Sequence, residues 1–148
     1  MIALGRTDIG KVRPSNQDAL LQTEGPYAVF AVADGMGGHR GGNIASAMAV
    51  DCLSEIDTRQ PPNEAALKAA FDRANRLIWE RQREDMSLSG MGTTLTALWE
   101  GDEHVLLGHV GDSRAYLFRE GALSQVSADH SLVGELLRSG VLSAEDAH

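Results

Sequence analysis

YAVFAVADGMGGHRGG, residues 27–42, decides how the chain folds. Tyr27 to Ala33 form an almost wholly apolar run, the pattern of a strand buried on both faces. The run stops at Asp34, and Gly35, Gly37, Gly38, Gly41 and Gly42 follow. A bare carboxylate at the end of a buried strand is costly unless it is paired or bound to a cation. Glycines beside it leave backbone carbonyls and amides open to close approach. A carboxylate, open carbonyls and room for water together make a site for a hard cation, Mg²⁺ or Mn²⁺. A nucleotide-binding loop is excluded: no G-x-x-x-x-G-K-[ST] is present, and Arg40 stands where G-x-G-x-x-G requires its last glycine.

A second stretch repeats the pattern. Leu107-Gly-His-Val-Gly-Asp-Ser-Arg114 closes another apolar segment with a glycine and then Asp112. Two strands ending in carboxylates can meet at one sheet edge and hold metal between them. They can equally be two strand-end aspartates that form turns, and spacing alone leaves both readings open. The acidic spacing of an EF-hand is missing, and a single cysteine, Cys52, with no H-x-x-x-H pair excludes the usual zinc sites.

Around these two stretches the pattern is mixed α and β. Strands are expected at Ile2–Asp8, Asp18–Thr23 and Tyr27–Ala33. Ala45, Met48, Ala49, Cys52, Leu53 and Ile56 recur on one helical face, and after Pro61-Pro62 a second helix is expected with Asn63 as its N-cap. Its outer face carries Asp72, Arg73, Arg76 and Arg83, an ordinary solvated surface. Thr93–Trp99 and His104–Val110 read as strands. Arg114–Phe118 and Leu123–Val126 read as a hairpin around Arg119-Glu120-Gly121. A short helix is expected over Leu132–Arg138, and Ser143-Ala-Glu-Asp146 has the spacing of a capping box that opens another.

The 148 residues suit one domain, with 43% hydrophobic residues, enough for a real core. A net charge of −8 disfavours nucleic acid and anionic membrane as partners. The lone cysteine, the lack of a long apolar span and the lack of a signal-peptide pattern make a cytoplasmic location the expectation.

Four segments stand in order: Val12-Arg-Pro-Ser-Asn-Gln-Asp18, Ala33-Asp-Gly-Met-Gly-Gly-His39, Gly92-Thr-Thr94 and Val110-Gly-Asp-Ser-Arg-Ala-Tyr116. Together they resemble the metal-dependent Ser/Thr protein phosphatases of the 2C type, in their bacterial form. The resemblance implies an α+β fold of two stacked antiparallel β-sheets flanked by α-helices, a four-layer αββα arrangement. It implies hydrolysis of phosphoserine and phosphothreonine in proteins by a metal-activated water, with two or more Mn²⁺ or Mg²⁺ ions. Asp34 matches the aspartate that bridges two metals, and Gly35 the glycine whose carbonyl is also a ligand. Asp112 matches the ligand of a further metal. Asp18 matches an aspartate near the metals through water, and Arg13 the arginine that binds substrate phosphate.

Three departures follow from the same resemblance. Gln17 replaces a glutamate found in many members. Met36 occupies the place of a histidine that some members use as general acid, which leaves His39 as the nearby candidate for that role. The later Ser-Asp-Gly and Asp-Asn segments of the family are absent, so residues 1–148 are read as one phosphatase-like domain truncated before them. The implied partners are phosphorylated proteins, with a Ser/Thr protein kinase and its substrates. The alternative is a catalytically inactive module acting in binding or in self-association through exposed sheet edges.

Overall fold

Strand β2 (Val29–Met36) runs through the middle of the fold and ends at the aspartate-glycine pair. The computed structural model describes residues 2–130, with Gly38 and His39 described by backbone alone. Before β2 comes β1 (Asp18–Gln22), and after it α1 (Gly38–Ser54) and α2 (Glu64–Glu84). A single 3-10 turn (Met86–Leu88) leads into β3 (Gly92–Thr93), β4 (Leu95–Glu100) and β5 (Val105–Val110). A hairpin of β6 (Tyr116–Arg119) and β7 (Ala122–Gln125) completes the described elements. The chain divides into a larger compact unit ending at His109 and a smaller one beginning at Val110.

In the larger unit the strand order is β1-β2-β4-β5, with β3 also pairing β2. The β1–β2, β2–β3 and β2–β4 pairings are antiparallel. Residues paired across antiparallel strands share a face. One face therefore carries Ala19 with Ala33, Leu21 with Ala31 and Ala97, and Val29 with Trp99. Both helices pack on this face. Ala45, Ala49 and Leu53 of α1 and Leu67, Ala70, Ala74 and Ile78 of α2 join it in one buried core. The alanines on both sides let α1 approach the strands closely. Leu53, Leu95 and Val29 are fully buried, and each contributes about 1.5–3 kcal/mol by leaving water.

The opposite face carries Asp18 with Asp34, Leu20 with Val32 and Thr96, and Gln22 with Phe30 and Leu98. Leu20, Val32 and Leu98 are exposed there. The expectation that the Tyr27–Ala33 run is buried on both faces is thus corrected: β2 alternates, because the helices cover only one side of the sheet.

Two further expectations change. Residues 2–8 form no strand, and Ile2 and Leu4 lie exposed with no ladder partner among the described residues. Helix α1 starts at Gly38, seven residues before the first of its regularly spaced apolar residues. Gly37 leads into it with φ 118°, a conformation that favours glycine. A side chain at Gly37 would also strike the backbone of Gly90 and Met91. The cap expected at Asn63 is present, its Oδ1 accepting a hydrogen bond from Ala66 N at 2.9 Å. Cys52 is buried, and burial pushes its thiol up from the ordinary value, so it behaves as a small core residue.

In the smaller unit Glu120 and Gly121 both have positive φ, 54° and 80°, the two-residue turn that suits the twist of a hairpin. Arg114 grips Asp129 with its guanidinium fork, Nη2 to Oδ2 at 2.7 Å and Nε to both carboxylate oxygens at 3.0 Å. That carboxylate, with Tyr116, holds the guanidinium above its ordinary pKa. The helix expected over 132–138 and the capping box at 143–146 lie outside the described residues. Among the described residues no helix is long and apolar enough to cross a membrane.

Candidate functional site

Asp34 sits near the end of β2, directly across from Asp18, the first residue of β1. The alternation of the strands puts both carboxylates on the face away from the helices, where both are exposed. The loop before β1 closes over them. Arg13, Asp8, Asn16 and Gln17 join the two aspartates in lining one pocket of about 180 Å³. Three of the residues singled out by sequence, Arg13, Asp18 and Asp34, therefore meet in one place.

Hydrogen bonds fix the two aspartates and the loop before β1. The Asp18 carboxylate accepts from Thr7 Oγ1 at 2.6 Å, and Asn16 Nδ2 donates to that hydroxyl at 2.7 Å. Asn16 Oδ1 accepts from Asp18 N at 3.0 Å, an Asx turn that starts the strand. Asp8 Oδ1 likewise accepts from Gly10 N at 2.8 Å. On the other side of β2, Thr94 holds the Asp34 backbone twice. Its Oγ1 accepts from Asp34 N, and its own N–H donates to Asp34 O, both at 3.0 Å. The Gly92-Thr-Thr94 segment, noted in the sequence without a role, is the strand break that makes this double bond. Thr7 carries no mark in the sequence, while Asn16 and Thr94 stand in two of the four family-like segments without a role of their own. The Asn two positions before Asp18 was the one legible sign.

Gly35 is buried, and no side chain fits there. A Cβ would stand 2.1 Å from Gly42 O and 2.7 Å from Gln17 O, both backbone atoms. The glycine is needed for helix α1 to lie against the end of β2.

Asp112 belongs to the smaller unit and is exposed. It follows Gly111, whose φ is 104° and whose carbonyl accepts from His130 N at 2.7 Å. His39 lies in the first turn of α1, and its side chain is outside the described residues.

The donor chemistry fits a hard divalent cation. Asp18 and Asp34 offer two exposed carboxylates side by side, and the pocket has room for water. Among the described residues no group of three or more His, Cys, Asp or Glu side chains could hold an ion. Mg²⁺ suits such a place, since it keeps several waters and takes one or two carboxylates from the protein.

The chain matches the family model described as protein phosphatase 2C over residues 9–143. It is 41% identical over 150 residues to the serine/threonine phosphatase stp of Listeria monocytogenes serotype 4b, covering 96% of this chain and 60% of that protein. It is 38% identical over 148 residues to the serine/threonine protein phosphatase PstP of Mycobacterium tuberculosis, covering 97% of this chain and 28% of that one. Among solved structures, the catalytic domain of PstP in complex with two manganese ions superposes with a TM-score of 0.83 at 38% identity, covering 97% of this chain and 62% of that chain. The S. agalactiae serine/threonine phosphatase gives 0.82 at 37% identity, covering 95% of this chain and 61% of that chain. The chain belongs to the protein phosphatase 2C family. It spans about 60% of the length of the stp relatives it matches. The α+β class of antiparallel sheets and helices expected from sequence agrees with these neighbours.

Proposed function

We propose that the protein is a metal-dependent phosphatase that hydrolyses phosphoserine and phosphothreonine in other proteins. The observation that carries the proposal is the meeting of Asp18 and Asp34 across β1 and β2 in one pocket with Arg13. Mn²⁺ or Mg²⁺, when bound, lowers the pKa of water and offsets charge on the phosphoryl oxygens. In this reading Asp34 and the Gly35 carbonyl would hold ions, Asp18 would hold water beside Asp34, and Asp112 would be a ligand of a further ion. Arg13 clamps the phosphate with its planar fork and fixes the phosphorus for in-line attack. His39 gives a proton to the leaving oxygen. Residues 1–148 act as one phosphatase-like domain in a cytoplasmic protein, and the substrates are phosphoproteins of a Ser/Thr kinase.

The manganese complex of PstP and the names of the stp relatives support this reading over a module that only binds. Its test is hydrolysis of an aryl phosphate and a phosphothreonine peptide by the full-length natural polypeptide containing this sequence. Turnover is expected with Mn²⁺ and absent in chelator. Arg13→Ala is expected to raise KM by about tenfold or more, the value of one or two charge-assisted hydrogen bonds. Turnover indifferent to Mn²⁺ contradicts the metal role, and an unchanged KM contradicts the role of Arg13.

A further inference from the structure

We propose that Ser46 of helix α1 is a positioning residue for the carboxylate pair, acting through the backbone carbonyl of Gln17. The inference rests on the metal-dependent reading above and adds a residue that touches neither substrate nor ion. Ser46 is 1% exposed, a polar side chain inside the core. Its hydroxyl donates to Gln17 O at 2.7 Å, much closer than its contact with Asn43 O at 3.3 Å. The same Gln17 carbonyl accepts from Gly35 N at 3.1 Å. Both lone pairs of that oxygen are thereby used.

The position of this carbonyl gives it its effect. Gln17 immediately precedes Asp18, and Gly35 immediately follows Asp34. One oxygen therefore ties the start of β1, the end of β2 and helix α1 together, one residue away from each carboxylate. Gly42, one helical turn before Ser46, completes the contact. A Cβ there would stand 2.4 Å from Gln17 Oε1 and 2.8 Å from the Gly35 carbonyl carbon. The helix thus seats on the two strands by a hydrogen bond at Ser46 and by bare backbone at Gly42. Opposing carboxylates repel in the absence of a cation. A link that holds their backbones in place keeps the pair preorganised for one, as the outer partners of metal ligands do.

The test is a calorimetric Mn²⁺ titration of the full-length polypeptide, wild type against Ser46→Ala and Ser46→Thr, with the Tm of each metal-free protein measured alongside. Ser46→Ala is expected to weaken Mn²⁺ affinity by about tenfold, and Ser46→Thr, which keeps the hydroxyl, by much less. A lower Tm with Mn²⁺ affinity within twofold of wild type means that Ser46 serves stability alone and overturns the proposal. If Ser46→Ala does not fold, Gly42→Ala carries the test. It is expected to weaken Mn²⁺ binding because its Cβ forces the helix from Gln17 and Gly35, and unchanged affinity overturns the proposal. Wild-type protein that binds no Mn²⁺ overturns the metal reading itself, and this proposal with it.

Discussion

Asp34→Asn in the full-length polypeptide lowers Mn²⁺-dependent turnover by about 10²-fold or more, because the site loses the charge that holds the ions. Asparagine keeps the shape of the side chain and one oxygen, so the sheet is not disturbed. The metal-free protein should be no less stable. Asp18 and Asp34 are register partners on an exposed face, and two like charges directly opposite each other are destabilising. Neutralising one relieves that repulsion. The expected signature is a collapse of turnover and Mn²⁺ affinity with the metal-free Tm unchanged or slightly raised. Activity within tenfold of wild type would remove Asp34 from the mechanism. A large fall in Tm would assign it a structural duty instead.

Gly35→Ala acts first on stability. The added methyl meets Gly42 O at 2.1 Å, Gly42 C at 2.4 Å and Gln17 O at 2.7 Å. All three are backbone atoms, so no side chain can swing away. Either helix α1 moves off the sheet or the end of β2 bends, and both loosen the core built on Ala33, Ala45 and Ala49. The expected cost is about 3 kcal/mol or more, above the usual range for overpacking because the contact is with backbone. In a chain of this size that lowers Tm by roughly 10 °C in thermal unfolding. Metal affinity should fall too, since Gly35 adjoins Asp34. An unchanged Tm would show that the helix and strand can separate at no cost.

These two residues show what a sequence can and cannot display. Asp34 was legible because a carboxylate closes an apolar run, but the burial cost read from that pattern does not arise, since the residue lies on the exposed face of β2. The purpose of Gly35 was only half legible. Reading the glycines as an open loop around a ligand missed that Gly41 and Gly42 belong to α1, since glycine is a poor helix former. Their place is set by tertiary approach, Gly41 against Met91 and Gly42 against Gln17, which local propensity does not encode.

Other elements follow the same division. The helix opened by Asn63 depends on local chemistry and lies where the sequence puts it; the hairpin turns inside the Arg119-Glu120-Gly121 stretch that the sequence marks, at Glu120 and Gly121, with Arg119 still in the strand. The strand expected over residues 2–8 depended on finding a partner, and it pairs with nothing among the described residues. The apolar run of β2 was read as buried on both faces, whereas its second face carries the exposed Val32 and the carboxylate of Asp34. Pattern fixes composition on a strand, but what covers each face is decided by the rest of the fold. The carbonyl of Gln17 was invisible for a related reason: a backbone partner leaves little mark on residue type.

The most direct test is a crystal of the full-length polypeptide grown with manganese and measured at the manganese absorption edge. Anomalous peaks are expected at the Asp34 carboxylate, with Asp18 beside them. A map with no peak at Asp34 contradicts the account.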